Sequence, residues 1–312
     1  MTATESARIG WAGAGGRMGI AMAGRLIDAA FAMRLYNRTR SKLASLEDRS
    51  TVVDTLEGLS GCEIVFLTAS ADADFEELCA AIAALPVPPS VVVDHTTVSV
   101  DASARVRAHL EVNGIAFLAA PVSGNPGVVR SGQLSIVVSG PRDALEVARP
   151  YLEALANSVT YVGEGEQARL VKICHNLYLA MVVQGLIEIT VLGERAGIAR
   201  ADMLGFINQS VMGSVFSGYK EHAFVDLDFT PTFTTKLLAK DVGLGLGVAE
   251  ELNVSMPVAE RVREIVKSGI DQGHGDEDFA SLILVQAKAA GVTLNLDGHQ
   301  VAAVASTEAN RG

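Results

Sequence analysis

The chain has 312 residues, of which 49% are hydrophobic and 20% charged, which favours two domains with large cores over a single domain. Its 25 basic and 36 acidic residues give a net charge of −11, which disfavours nonspecific binding to nucleic acid or to an anionic membrane. The three cysteines are scattered without metal-ligand spacing and the first residues, MTATESAR, contain no apolar signal segment, so we expect a cytoplasmic protein with reduced thiols and no metal site.

The first half of the chain alternates short apolar runs with helical patterns. This alternation predicts βαβ units and a mostly parallel, doubly wound sheet of the Rossmann type, covered by helices on both faces. The predicted strands are residues 9–12, 33–36, 51–53, 63–67, 91–94, 115–118, 134–139 and 160–162. The helices between them are predicted at 18–30, 72–85, 100–111 and 141–155, with loops at 86–89 and 121–127.

A glycine-rich turn, residues 13–19 (GAGGRMG), joins the first predicted strand to the first helix. It fits GxGxxG only in part, since methionine holds the place of the third glycine. In this position such a turn brings backbone N–H groups close to a pyrophosphate at the helix N-terminus, while a tight turn without a ligand is the other interpretation. The candidate cofactor-binding residues are Gly13, Ala14, Gly15, Gly16, Arg17 and Met18.

The second predicted strand ends in Asn37, Arg38 and Thr39. An enzyme that uses NAD usually has Asp or Glu here to bind the ribose 2′-hydroxyl, but the next acidic residue is Glu47. The guanidinium of Arg38 suits a 2′-phosphate, with the other two residues beside it. The pattern favours NADP over NAD, and an exposed polar turn is the alternative.

Two further loops follow predicted strands, at the sheet edge where open α/β sheets bind ligands. The first, residues 94–99 (DHTTVS), contains His95, an isolated histidine beside hydroxyls. The second, residues 120–127 (APVSGNPG), offers the Ser123 hydroxyl and the Gly124 N–H as a cradle for an anion or a carboxylate. Taken singly, each loop also fits an ordinary turn or helix cap.

A long helix is predicted from about residue 166 to 196, and near its start Lys172 precedes a nearly uncharged run. Asn176 follows four residues later and therefore shares its helix face. Partial burial of such a lysine lowers its pKa toward a range useful for proton transfer. A snorkelling lysine on a core helix is the alternative. The uncharged run 173–187 is short and contains polar residues, which predicts a helix buried in protein rather than a membrane span.

The chain after this helix has a helical pattern throughout, with helices predicted at 201–209, 235–252, 256–272 and 278–290. We therefore predict a cofactor-binding domain at 1–164, a helical substrate and dimerisation domain at 165–298 and a disordered tail at 299–312. The cleft between the two domains is the expected active site. The segment 208–220 either lines a substrate pocket or connects two helices.

Together these motifs resemble the β-hydroxyacid dehydrogenase family, which includes 3-hydroxyisobutyrate dehydrogenase and tartronate semialdehyde reductase. The match extends over about residues 8 to 290 and rests on an ordered set of motifs. In chain order these are residues 13–19, Asn37-Arg38-Thr39, 94–97, 121–124, Gly132, Lys172 with Asn176, and 233–241.

The resemblance implies roles for individual residues. Lys172 would protonate the carbonyl oxygen as hydride arrives and act as the base in the reverse direction. Asn176 would position the lysine and the substrate, and Ser123 with Gly124 would bind the substrate carboxylate. The family also implies NADP or NAD as cofactor, and homodimers or homotetramers. Thr97 and Lys240 would contact the nicotinamide end of the cofactor.

Three positions depart from the family pattern. The glycine turn is one residue longer than usual, which predicts that Gly15, Gly16 and Arg17 share the phosphate contacts. Ala119 replaces an aspartate that often precedes the Ser-Gly element, and Asn125 replaces a second glycine. Asn125 adds an amide at the substrate edge and so bears on substrate identity.

The sequence thus predicts an NADP-preferring oxidoreductase for a small β-hydroxy acid or its semialdehyde. An imine reductase of the same fold is the nearest alternative, but such enzymes usually lack the lysine at this position. A dihydrodipicolinate reductase would need a His-His and Asp-Ala-Pro-Ser-Gly-Thr pattern that this sequence lacks. A non-catalytic NADP-binding protein would be expected to have lost Lys172.

Overall fold

The computed structural model describes residues 8–295. The chain divides into two compact units whose boundary falls between Lys172 and Ile173, inside one long helix. The predicted boundary at 164/165, with the roles given to each domain, stays a prediction. The predicted tail at 299–312 lies outside the described residues.

The first unit contains a parallel sheet of six strands: β1 (Ile9–Ala12), β2 (Met33–Tyr36), β3 (Thr51–Val52), β4 (Ile64–Leu67), β5 (Val91–Asp94) and β6 (Ala116–Ala119). Their order across the sheet is β3-β2-β1-β4-β5-β6. The chain runs outward from β1 to β3 and then returns to the other side of β1, so β1 and β4 flank a topological switch point.

Helices cover this sheet on both faces, because its central strands are apolar on both sides. Ile9 and Trp11 of β1 pack with helices α1 (Arg17–Asp28) and α5 (Arg142–Leu155). Residues of the opposite strand faces, such as Val65 and Leu67, pack with α2 (Asp72–Ala83) and α3 (Val100–Val112). Two 3₁₀ segments, Arg40–Arg49 and Leu56–Leu59, complete this part. The predicted doubly wound α/β fold is confirmed.

The last three strands form a separate sheet, whereas the sequence predicted a single one. Strand β7 (Val122–Ser123) pairs antiparallel with β8 (Ser135–Val138), which pairs parallel with β9 (Ser158–Tyr161). Pro121 has no backbone N–H to continue the ladder of β6, and one isolated bridge, Ala119 to Ser139, joins the two sheets. The predicted loop at 121–127 therefore contains β7 and the start of a short helix, α4 (Pro126–Arg130).

The long helix α6 (Gln167–Arg195) agrees with its prediction. By length and composition alone this 29-residue helix could cross a membrane, contrary to the expectation from its short uncharged run. Core helices of soluble proteins can have the same length and composition. In α6, Ile173, Leu177 and Val183 are buried.

The second unit is built of α7 (Arg200–Gln209), α8 (Val215–Val225), α9 (Thr235–Glu251), α10 (Pro257–Gly269) and α11 (Leu282–Ala290), together with the second part of α6. Helix α8 was not predicted; it begins at a capping box in which Ser214 and Ser217 bond each other's backbone. A π-helical turn (Ile270–His274) and a 3₁₀ turn (Phe279–Ser281) precede α11. The apolar faces of the helices of this unit form one core, which includes Leu204, Phe224, Leu238, Val262 and Ile283.

Candidate active site

The glycine turn after β1 is tied to the end of β2 through its first three N–H groups. The N–H groups of Gly13 and Ala14 donate to the Tyr36 carbonyl at 2.9 and 3.2 Å, and that of Gly15 donates to Asn37 Oδ1 at 3.0 Å. These three N–H groups therefore already make hydrogen bonds within the protein. Backbone donors for a bound anion therefore come from Gly16 onward, which moves the expected contacts toward the helix.

Thr68, after β4, holds the same turn from the other side of the switch point. Its hydroxyl donates to the Gly13 carbonyl at 2.7 Å and accepts from the Trp11 indole N–H at 3.1 Å. Gly13 has φ of +76°, and a Cβ there would lie 1.9 Å from the Thr68 carbonyl oxygen. Only glycine fits this close approach of two backbone segments.

The start of α1 is suited to a phosphate group. Gly16 is its N-cap, with φ −74° and ψ 161°, no side chain caps the helix, and its first turn holds no acidic residue. A Cβ on Gly16 would meet nothing within 4 Å. The N–H groups and positive end of a helix dipole at such a terminus attract anions, so these residues fit the pyrophosphate of a dinucleotide.

The turn after β2 holds two exposed arginines, Arg38 and Arg40, which differ in their partners. Asn37 is occupied internally, because its Nδ2 also donates to the Thr39 carbonyl at 2.9 Å. Arg40 is engaged with the Val52 carbonyl and with Asp54. Arg38 is 85% exposed, with Asp74 of α2 at 3.8 Å from its Nη1. Of the two arginines, Arg38 is thus the one poised for an external anion.

The loop after β5 is fixed by a buried ion pair that the sequence analysis missed. Asp94 ends β5 with no exposed side-chain surface, and its Oδ2 accepts from Nη2 of Arg169, which is 1% exposed. Its Oδ1 accepts from the N–H and hydroxyl of Thr96. Complete burial raises the pKa of the Asp94 carboxyl, while Arg169 and the Thr96 hydrogen bonds oppose that rise. Thr97, the next residue, is half-buried.

His95, the histidine of this loop, belongs to the core of the first unit. Its Nδ1 donates to the Ala120 carbonyl at 2.6 Å, and its ring stacks on Phe66 with centroids 5.7 Å apart. Within the described residues Nε2 is buried and has no hydrogen-bond partner. Burial lowers the pKa of His95 to about 4, so the ring is neutral at neutral pH and is a structural residue.

The expected carboxylate cradle follows β6. Ser123 lies in β7, and Gly124 has φ of +146°, where a Cβ would meet Val128 Cγ1 at 2.8 Å. Asn125 is the N-cap of α4, and its Oδ1 accepts from the Val128 N–H at 3.0 Å. The amide oxygen that the sequence assigned to the substrate edge is therefore used to cap a helix.

Lys172 lies half-buried in the second turn of α6, and Asn176 follows one turn later on the same helix face. Asn176 is 2% exposed. Its Nδ2 donates to Asp241 Oδ2 at 2.5 Å, and its Oδ1 accepts from His175 Nδ1 at 2.9 Å. Lys240 Nζ lies 3.2 Å from the other oxygen of Asp241.

Asp241 is 3% exposed and accepts the hydrogen bond from the Asn176 amide. Charged residues within apolar helical runs need partners when buried. That signal could have drawn attention to Arg169 and Asp241, but it does not tell which partner each one takes. In residues 8–295, no cluster of three or more His, Cys, Asp or Glu side chains is arranged to hold a metal ion.

Two family models match successive parts of the chain. Residues 8–163 match the family described as the NAD binding domain of 6-phosphogluconate dehydrogenase. Residues 166–286 match the family described as NAD-binding of NADP-dependent 3-hydroxyisobutyrate dehydrogenase.

Two enzymes of Pseudomonas aeruginosa are among the relatives. The chain is 27% identical to its 3-hydroxyisobutyrate dehydrogenase over 285 residues, which covers 86% of this chain and 94% of that enzyme. It is 26% identical to the NAD-dependent L-serine dehydrogenase over 277 residues, or 85% and 93% of the two chains. The crystal structure of 3-hydroxyisobutyrate dehydrogenase from Salmonella typhimurium shares the fold, with a TM-score of 0.79, 22% identity and coverage of 89% and 99%.

Proposed function

The chain belongs to the β-hydroxyacid dehydrogenase family of NAD(P)-dependent oxidoreductases, and we propose from this premise that it interconverts a small β-hydroxy acid and its semialdehyde, with a preference for NADP. The observation that carries the proposal is the position of Lys172 one turn before Asn176 on the same face of α6, with the Asn176 amide hydrogen-bonded to Asp241. An imine reductase of this fold is the alternative, and Lys172 argues against it.

Lys172 acts in this proposal as the general acid of reduction, giving a proton from Nζ to the carbonyl oxygen that becomes the hydroxyl. In oxidation it takes that proton back. Asn176 positions the reacting groups, since the hydrogen bond to Asp241 fixes its amide plane. A side chain locked in this way loses little further entropy when substrate binds.

Most of the proposed groups for the cofactor belong to the first unit, and the cofactor would provide the hydride when bound. We propose that the N–H groups of Gly16, Arg17 and Met18 bind the pyrophosphate, while Gly13, Ala14 and Gly15 shape the turn through the hydrogen bonds described above. Thr97 and Lys240 remain the proposed contacts at the nicotinamide end.

Arg38 would bind the 2′-phosphate of NADP, with Thr39 beside it and Asn37 holding the turn in place. Its side chain is largely exposed, so a charge-assisted hydrogen bond to a phosphate requires little rearrangement. The L-serine dehydrogenase among the relatives is named as NAD-dependent. The preference for NADP therefore rests on Arg38 and needs its own measurement.

The substrate carboxylate would bind at Ser123 and at the Gly124 N–H, with Asn125 shaping this edge as a helix cap. The two Pseudomonas relatives are named for L-serine and 3-hydroxyisobutyrate, both small carboxylates with a β-hydroxyl group. We propose a substrate of this class, a homodimer or homotetramer, and a cytoplasmic location without a nucleic-acid or membrane partner.

The test is a panel of β-hydroxy acids, their semialdehydes and a cyclic imine, assayed with NADPH or NADP⁺ and with NADH or NAD⁺. In Lys172→Ala, turnover on the best substrate should fall by at least about a hundredfold, the lower range for general acid catalysis, while NADPH binding by fluorescence is retained. Lys236→Ala is the matched control, because Lys236 is an exposed lysine paired with Asp276. Near-normal turnover of Lys172→Ala would remove the central role, and a preference for the imine would favour the alternative.

A further inference from the structure

We propose that Arg169 is a positioning residue for Lys172: its buried pair with Asp94 fixes the first turns of α6 against the loop after β5. This inference rests on the proposed function, since it assigns Arg169 a role exercised through the general acid. Arg169 stands three residues before Lys172, about 4.5 Å along the helix axis at 1.5 Å per residue.

The guanidinium of Arg169 uses each of its three nitrogens on a different partner. Nη2 donates to Asp94 Oδ2, Nη1 donates to the Thr96 carbonyl, and Nε donates to Ser103 Oγ at 3.0 Å. The ring centroids of Phe75 and Phe117 lie 5.8 and 6.0 Å from the guanidinium carbon. A planar fork with donors in fixed directions suits three partners at once, which a lysine ammonium on a flexible stem does not.

The acceptor side of this pair reaches a second strand end, that of β4. Thr96 donates its N–H and its hydroxyl to Asp94 Oδ1, and the same hydroxyl accepts from the Ala69 N–H at 2.9 Å. The ends of β4 and β5, helix α3 and helix α6 are thus joined in one continuous network. Thr97, the proposed nicotinamide contact, is covalently attached to it, so one pair sets the positions of Thr97 and Lys172 together.

The segment before α6 has a separate anchor. Arg107 of α3 pairs with Glu166 at 2.6 Å and donates to the Gly165 carbonyl at 2.6 Å. The start of the helix is therefore held without Arg169, and the Asp94 pair adds a constraint one turn further on. A buried ion pair adds little net stability compared with apolar residues of the same volume. The three hydrogen bonds of the Arg169 guanidinium do, however, specify one position for the helix turn that carries Lys172.

The experiment is a double-mutant cycle on the holoenzyme, read as the rate of NADPH oxidation in a single turnover. Arg169→Lys keeps the charge but not the fork, and we expect hydride transfer to slow about tenfold, within the range that small misplacement of a catalytic group causes. The dissociation constant of NADPH should change less than about twofold. Because Arg169 acts through Lys172, Arg169→Lys in a Lys172→Ala background should slow the residual reaction less than about twofold further.

Arg200→Lys is the matched control: Arg200 is 2% exposed, pairs with Glu194 and also donates to the Val225 carbonyl. Its variant should leave hydride transfer unchanged. Equal losses from Arg169→Lys in both backgrounds, or the same loss in Arg200→Lys, would overturn the positioning role. Should Arg169→Lys fail to fold, Asp94→Asn, with the guanidinium in place, serves in the same cycle. Failure of the proposed function looks different, because Lys172→Ala alone would then be active.

Discussion

Replacing His95 with Phe should remove a specific acid sensitivity of the fold. The imidazole has a pKa of about 4 in the folded chain against 6.5 for the ordinary side chain, mainly because it is buried. Its Nδ1 already carries the proton donated to the Ala120 carbonyl. Protonation at Nε2 would place a charge and an unpaired N–H in the core beside Phe66 and Trp11.

The direction in which stability changes with pH follows from proton binding at His95. Between about pH 6.5 and pH 4 the unfolded chain binds more protons at this site than the folded chain, so the free energy of unfolding falls as the pH falls. The stability that depends on a neutral His95 is fully present above the pKa of His95 in the unfolded chain. The lowering of the His95 pKa from 6.5 to about 4 corresponds to about 3 kcal/mol, of which about 2 kcal/mol is lost between about pH 7 and pH 5.

Urea unfolding followed by circular dichroism at about pH 7 and pH 5 measures this loss. In His95→Phe, stability at neutral pH should fall by about 1 kcal/mol, because the Ala120 carbonyl loses its donor. The decrease on acidification should then be smaller than in the wild type by about 2 kcal/mol. Equal pH dependence in the two proteins would show that His95 does not have the lowered pKa assigned to it.

Four further variants test other parts of the site. Arg38→Asp should raise the KM for NADPH much more than that for NADH, and equal effects would remove the 2′-phosphate role. Gly13→Ala places a Cβ against the Thr68 carbonyl at positive φ and should lower the free energy of unfolding by at least about 1 kcal/mol. Gly16→Ala meets no protein atom within 4 Å, so it should keep the melting temperature yet weaken NADPH binding in titration; unchanged binding would place the pyrophosphate elsewhere. Asp241→Leu removes the acceptor for the Asn176 amide and should lower kcat more than it raises KM, and a stability loss with normal kcat would make this contact purely structural.

The sequence alone was sufficient for the elements whose pattern is local. The strands at 9–12, 33–36 and 91–94 and the long helix are where they were predicted, because periodicity and glycine punctuation act over a few residues. Family membership likewise followed from an ordered series of short motifs. Helix α8 was not predicted, because the polar run 208–214 before it resembles a loop. The break between the two sheets at Pro121 was not predicted either, because each later strand has an ordinary strand pattern.

The sequence by itself determined the glycine turn after β1, the arginine after β2 and the lysine of α6, since each depends on residue type and on its place within one element. Tertiary structure alone decided which polar groups are partners: Asp94 with Arg169 across 75 residues, Asn176 with Asp241 across 65 and Trp11 with Thr68 across 57. It also showed that Asn125 caps a helix and that His95 is a core residue. The physical reason is that burial and hydrogen-bond geometry are properties of the packed chain, and a buried polar group takes whichever complementary partner the fold brings within about 3 Å.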